Sequence, residues 1–197
     1  MLPTLLAALL AAPPYGSVRA EAEPVSNLGR YLEEYLGECE SDAPEFDRAG
    51  CEDRAAAVRK QRAGVAIRLE VEELEGTLAF SGYDERKKLY RLLLTPFFAG
   101  RELAITVGRP TAGAKDGLPT VKNIPIWVAL PDGEPEFAFR RKLERGMVRL
   151  EVVLEPGAPW ALKRKDGDGA YRGVEARLLG LRVSESRAER VLAEQSY

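Results

Sequence analysis

Histidine is absent from all 197 residues, and that absence removes more chemistry than any motif in the chain supplies. Without imidazole there is no Ser-His-Asp or Cys-His nucleophile and no imidazole ligand for a metal. The two cysteines cannot furnish a four-thiolate zinc site. Carboxylates remain. Glu70, Glu72, Glu73 and Glu75 are candidates for the carboxylate pair of glycoside hydrolysis. Glu70 and Glu72 alternate with apolar residues, however, as solvent-facing strand positions do. Asp166-Gly167-Asp168-Gly169 invites a calcium reading, but EF-hand spacing then puts Ala170, Tyr171 and Arg177 at its fifth, sixth and twelfth positions. A tight hairpin accounts for the same residues without a ligand. The sequence therefore assigns no catalytic residue, no cofactor and no metal ligand.

Basic residues offer binding rather than catalysis. They cluster as Arg86-Lys87-Lys88, as Arg140-Arg141-Lys142 with Arg145, and as Lys163-Arg164-Lys165. Two such clusters at neighbouring hairpin ends would suit a phosphate, an acidic glycan or an anionic membrane surface. The plainer reading is solvated strand faces with cationic edge protection, in keeping with a net charge of −2. Trp160, between Pro159 and Ala161, stands apart from the apolar strand patterns and is a candidate for the rim of a groove. The candidate ligand surface is thus Arg140, Arg141, Lys142, Arg145, Lys163, Arg164, Lys165 and Trp160, combined with the loop 109–121. An oligonucleotide-binding barrel using Tyr90, Phe97 or Trp127 as stacking platforms is a variant of this idea.

The chain's opening sets its expected compartment. Leu5 to Ala12 is a short apolar run, too short for a stable membrane anchor. Val18-Arg19-Ala20 follows, a small or β-branched residue at −3 and Ala at −1, as a signal peptidase reads. Met1 to Ala12 carries no Lys or Arg, a departure from the usual basic n-region. A signal peptide over 1–20, cleaved near Ala20, predicts export to a periplasm or beyond. Nucleic acid is then not an expected partner, and no transmembrane segment is expected in the mature chain. An envelope protein, an anionic glycan or an anionic lipid fits that setting better.

Elements must position these groups. Leu28, Tyr31, Leu32, Tyr35, Leu36 and Cys39 recur at helical spacing behind Ser26 and Asn27 as caps. A second helical segment carries Cys51, Ala55 and Val58 on one stripe to about Arg62, with Gly64 at its end. Two antiparallel helices over 21–63 would bring Cys39 and Cys51 together, and an exported pair of cysteines reads as a disulfide. A redox-active pair is the alternative, without Cys-x-x-Cys spacing to support it.

From Gly64 the period changes to two. Val65, Ile67, Leu69 and Val71 alternate, as do Leu103, Ile105 and Val107, and again Val148, Leu150, Val152 and Leu154. Pro125 confines the strand 124–130 to a sheet edge or moves its start to Ile126. The segment 134–146 has helix punctuation, yet Phe137 and Phe139 alternate and Pro131-Asp132-Gly133 reads as a hairpin turn, so it is read as strand. The tail 185–197 is polar, with a short helix over 187–192. The expectation is a mainly β domain over 64–184, a small β-sandwich or closed β-barrel of about eight or nine strands. A disulfide-stapled helical hairpin precedes it. The expected function is non-catalytic binding at a basic surface. A ligand-binding β-barrel with an interior cavity and a carboxylate enzyme are the competing classes, and Leu, Ile and Val on the inward positions favour a filled core.

Overall fold

A computed structural model describes residues 13–37, 45–71, 74–113, 117–130, 134–165, 169–186 and 190–197, with backbone alone for 45–49. Helices α1 (Tyr15–Glu21), α2 (Leu28–Leu36), α3 (Glu45–Gln61) and α4 (Glu136–Glu144) lie around a mainly β body. Helix α2 forms as its spacing requires. The Asn27 side chain accepts from the Arg30 amide at 2.9 Å, and Gly37 ends the helix in the left-handed region at φ 68°. Its buried face, Tyr31, Leu32 and Tyr35, enters the main core. Helix α3 crosses closely at that same glycine, where a Cβ would lie 2.5 Å from the Ala55 methyl. Arg59 donates to the Tyr35 carbonyl at 2.9 Å and satisfies a helix-end acceptor. Cys51 sits on α3, and no described cysteine is a free thiol. Cys39 lies outside the described residues, and with it the geometry of the expected staple.

Two long strands dominate the sheet. β10 (Val148–Lys163) and β11 (Ala170–Glu185) pair antiparallel from Val148↔Glu185 to Lys163↔Ala170. Before them in the chain come β1 (Glu23–Pro24), β2 (Ile67–Val71), β3 (Leu78–Asp84), β4 (Leu89–Leu94), β5 (Phe97–Gly100), β6 (Leu103–Val107), β7 (Thr111–Ala112), β8 (Pro119–Thr120) and β9 (Ile124–Val128), and β12 (Val191–Ser196) closes it. Seven strands form one curled, half-barrel sheet in the order β1-β2-β10-β11-β6-β5, with β12 beside β11 as well. Strands β3, β4 and β9 make a second sheet, and β7 pairs with β8. The inward residues of both larger sheets meet in one apolar cluster that includes Leu92, Ile126, Leu150, Val152 and Val174.

The curl has a visible cause. Val153 pairs with Gly180 but Leu154 with Leu178, so Leu179 is an extra residue in β11. Such a bulge bends its strand and raises the local twist. It also flips the inward parity, from Val174, Ala176 and Leu178 before it to Leu181 and Val183 after it. A second irregularity lies between Pro156 and Pro159. There the Tyr35 hydroxyl donates to the Gly157 carbonyl at 3.0 Å, tying α2 to the bend.

Four expectations need restating. Twelve strands occur among the described residues, more than eight or nine, because two-residue pairings and the split of 97–107 into a hairpin escape pattern reading. Among the described residues the sheet curls without the full circuit of a barrel in its pairing order. Residues 136–144 are helix α4, not strand. Phe139 is fully buried while Phe137 is 62% exposed, so the two-residue repeat marks opposite sides of a helix. The terminal segment is strand β12 rather than helix, with Leu192 and Ala193 buried against β11. Pro125 lies in β9, an edge strand of the second sheet among the described residues, the kind of strand that tolerates a residue without an N–H.

Candidate functional site

The β10–β11 hairpin carries its most unusual side chain near its closed end. Trp160 pairs across the strands with Gly173, which on its other side pairs with Ala104 of β6. A Cβ on Gly173 would collide with the indole and with the Ala104 carbonyl. The glycine therefore lets the indole lie across the sheet, as an aromatic covers a bare strand position. Trp160 is only 4% exposed, yet it is outside the main apolar cluster. Among the described residues its Nε1 has no hydrogen-bond partner. A buried donor left unmade costs about 1–3 kcal/mol, which sets this indole apart from the apolar side chains around it.

Above that indole lies a cleft of about 590 Å³. Arg164, Tyr171 and Arg172 line it from the hairpin, and Phe97, Arg101 and Leu103 from the β5–β6 hairpin. Leu118 and Pro119 close a third side. The Arg164 guanidinium lies 5.1 Å from the centre of the Tyr171 ring, a cation–π distance. Arg101 occupies the left-handed region at φ 61° in its two-residue turn, the conformation such hairpin turns require, and pairs with Glu33 of α2 at 2.5 Å. Glu102 also lines the cleft, so its charge is mixed with an excess of arginine.

The loop 109–121 reaches this cleft. β7 and β8 pair across it, and the Gly113 amide donates to the Leu118 carbonyl at 2.8 Å. Gly117 has φ 74°, and a Cβ there would lie 2.7 Å from the Lys165 side chain. The structure thus brings together one cationic cluster, Trp160 and this loop. Leu118, Tyr171 and Arg172 were not singled out as ligand contacts by the charge and turn patterns, whereas Phe97 was named as a stacking platform. An aromatic facing a glycine across a hairpin was the available signal, and it needs the register before it can be read.

The other predicted cations lie elsewhere. Lys142 pairs with Glu134 and with Glu185 at 2.7 Å each, and Glu185 faces Val148 at the opposite end of the β10–β11 hairpin from Lys163. Arg140 pairs with Glu136 at 2.7 Å and lies 4.4 Å from the Phe80 ring centre. Arg141 stacks toward Phe137 at 5.9 Å, and Arg145 follows the last turn of α4. The two clusters form separate surfaces, and the one on α4 is held by ion pairs. Glu185 is 8% exposed; Lys142 first, and then Arg190 against the opposing effect of burial, hold its carboxyl below the ordinary range.

The remaining candidate groups lie partly outside the described residues. Glu70 is paired with Arg149 at 3.5 Å, and Glu72 and Glu73 lie outside the described residues. So do Asp166 to Asp168, within the connection between β10 and β11; the Arg164 amide donates to the Gly169 carbonyl at 3.2 Å to close it. Among the described residues no group of three or more acidic or thiol side chains could hold a metal ion, and no helix is long and apolar enough to cross a membrane.

The profile of a family of unknown function, DUF6066, matches residues 1–194. The chain belongs to this family. No curated protein and no solved structure matches it. Membership in DUF6066 carries no activity with it, and the chemistry of its site rests on the cleft itself.

Proposed function

We propose that this member of DUF6066 is an exported, non-catalytic binding protein that takes an anionic ligand in the Trp160 cleft. The observation that carries the reading is the buried Trp160 Nε1, without an acceptor among the described residues, beneath a cleft lined by Arg101, Arg164 and Arg172. A ligand oxygen would satisfy the indole donor, and the guanidinium groups would favour negative charge through charge-assisted hydrogen bonds. Phe97, Leu118 and Pro119 supply apolar wall for the ligand's body, the usual division of labour in a small-molecule site. The leader pattern supports export, to a periplasm or the exterior. A Cys39–Cys51 disulfide belongs to the same reading: the chain has two cysteines, and Cys51 is not a free thiol. An envelope glycan, a lipid head group or an anionic group on an envelope protein would each present the required chemistry.

The test is thermal unfolding against phosphorylated sugars, acidic glycans and anionic lipid head groups, with calcium as a control. A ligand that binds only the folded state raises Tm saturably. The expected result is a rise with one class of anion that Trp160→Phe with Arg172→Ala removes. A rise that survives those substitutions, or no rise with any anion, overturns the reading.

A further inference from the structure

Helix α1 contains the Val18-Arg19-Ala20 sequence at which a leader would be cut, yet it is fitted into the sheet by contacts specific to its side chains. Tyr15 is 3% exposed and packs with Ala22 and Val153 in a small apolar cluster separate from the main core. Its hydroxyl donates to Glu151 of β10. Arg19 grips the same carboxylate with both ends of its fork, at 2.6 and 3.3 Å. The Tyr15 ring lies against Gly180, where a Cβ would come within 2.9 Å of it, and the Arg182 guanidinium lies 5.0 Å from its centre. Gly180 sits at the β11 bulge, which turns Leu179 outward toward the same cluster. The bulge, the missing side chain and the charge of Glu151 all suit this one tyrosine.

We infer that α1 is a permanent part of the folded protein, an aromatic anchor on the outer face of the sheet, and that leader removal leaves Tyr15 in place. A cut after Ala20 would take away Tyr15, Val18 and Arg19 together. It would uncover Val153, which is fully buried, and leave Glu151 with Arg68 at 3.7 Å as its remaining ion pair among the described residues. Bare apolar surface beside a half-desolvated carboxylate is a costly end to a processed chain. Burial first, and then the neighbouring Glu151, push the Tyr15 hydroxyl above its ordinary range, so the anchor keeps its donor at any physiological pH. This inference stands independently of the Trp160 cleft.

The deciding experiment is the intact mass of the protein isolated from its natural source, with cell fractionation on the same sample. The expected N-terminus is Tyr15 or a residue before it. Any start after Tyr15, Glu21 included, overturns the inference. Fractionation reports export separately: an intracellular chain beginning at Met1 defeats the export reading and leaves the anchor standing. In the full chain, Tyr15→Ala should lower Tm by about 5 °C. Gly180→Ala should lower it less in the Tyr15→Ala background than in the native one, because part of its effect is the ring it displaces. Equal losses in both backgrounds would show that the ring and the glycine do not meet.

Discussion

Trp160 lies directly over Gly173, and the absence of a side chain at 173 is what lets the indole form the floor of the arginine-lined cleft. Gly173→Ala should therefore act on stability and site together. The added methyl meets the Ala104 carbonyl as well as the indole, and backbone cannot move aside as a side chain can. A loss of about 1–3 kcal/mol is expected for such overpacking, measured by denaturant unfolding, with a shift in Trp160 emission. An unaltered spectrum and stability would place the indole elsewhere.

The two phenylalanines of α4 should respond in opposite ways. Phe139→Ala removes a fully buried ring and should cost about 3–5 kcal/mol. Phe137→Ala removes a ring 62% exposed and should stay within about 0.5 kcal/mol. Comparable losses at both positions would favour strand over helix in this segment.

The ionic knot at the open end of the β10–β11 hairpin should give stability a defined pH dependence. Glu185 has its carboxyl lowered by Lys142 and Arg190, so its contribution is complete above the ordinary carboxylate value of about 4.3 and fades as pH falls through the depressed one. Lys142 is raised by its bonds to Glu134 and then Glu185. Its contribution is complete below the ordinary lysine value of about 10.4 and is lost as pH rises through the elevated one. Lys142→Met should destabilise by about 1–3 kcal/mol near neutrality, since a nearly buried carboxylate loses a partner. The acid limb of the stability curve should flatten in that variant, as followed by urea unfolding between pH 3 and pH 7. An unchanged acid limb would show that Glu185 does not depend on Lys142.

The proposed Cys39–Cys51 pair should make the folded protein two hydrogens lighter than its reduced form. Cys51→Ser should lower stability by about 3 kcal/mol on the chain-entropy account of a loop of this length. Identical masses before and after reduction would leave α2 and α3 joined by packing, the Arg59 bond and the contacts of Arg62 with Glu34 and Tyr31.

Sequence pattern was most legible where a single period ran uninterrupted. The Asn27 cap, the Tyr31-Leu32-Tyr35 face and the alternation at Leu150, Val152 and Leu154 all stand where the spacing puts them. Pattern reading falters where a period breaks inside one element. Leu178 and Leu181 both face inward because Leu179 bulges, and no count of alternate residues anticipates that. Phe137 and Phe139 satisfy a strand's period and a helix's opposite faces equally well, and burial decides between them. For the site, the sequence identified Trp160, the 163–165 cations and the 109–121 loop. Their convergence depends on the long hairpin's register, which also carries the α4 cations to its other end.

The most direct test of the central claim uses the two tryptophans of the chain. Trp127→Phe leaves Trp160 as the only indole reporter, and its emission can be titrated with each anion class at constant ionic strength. The account predicts a saturable change with one class, abolished by Arg172→Ala in a chain that still unfolds cooperatively. Emission that stays unchanged with every class, while the protein remains folded, would contradict it.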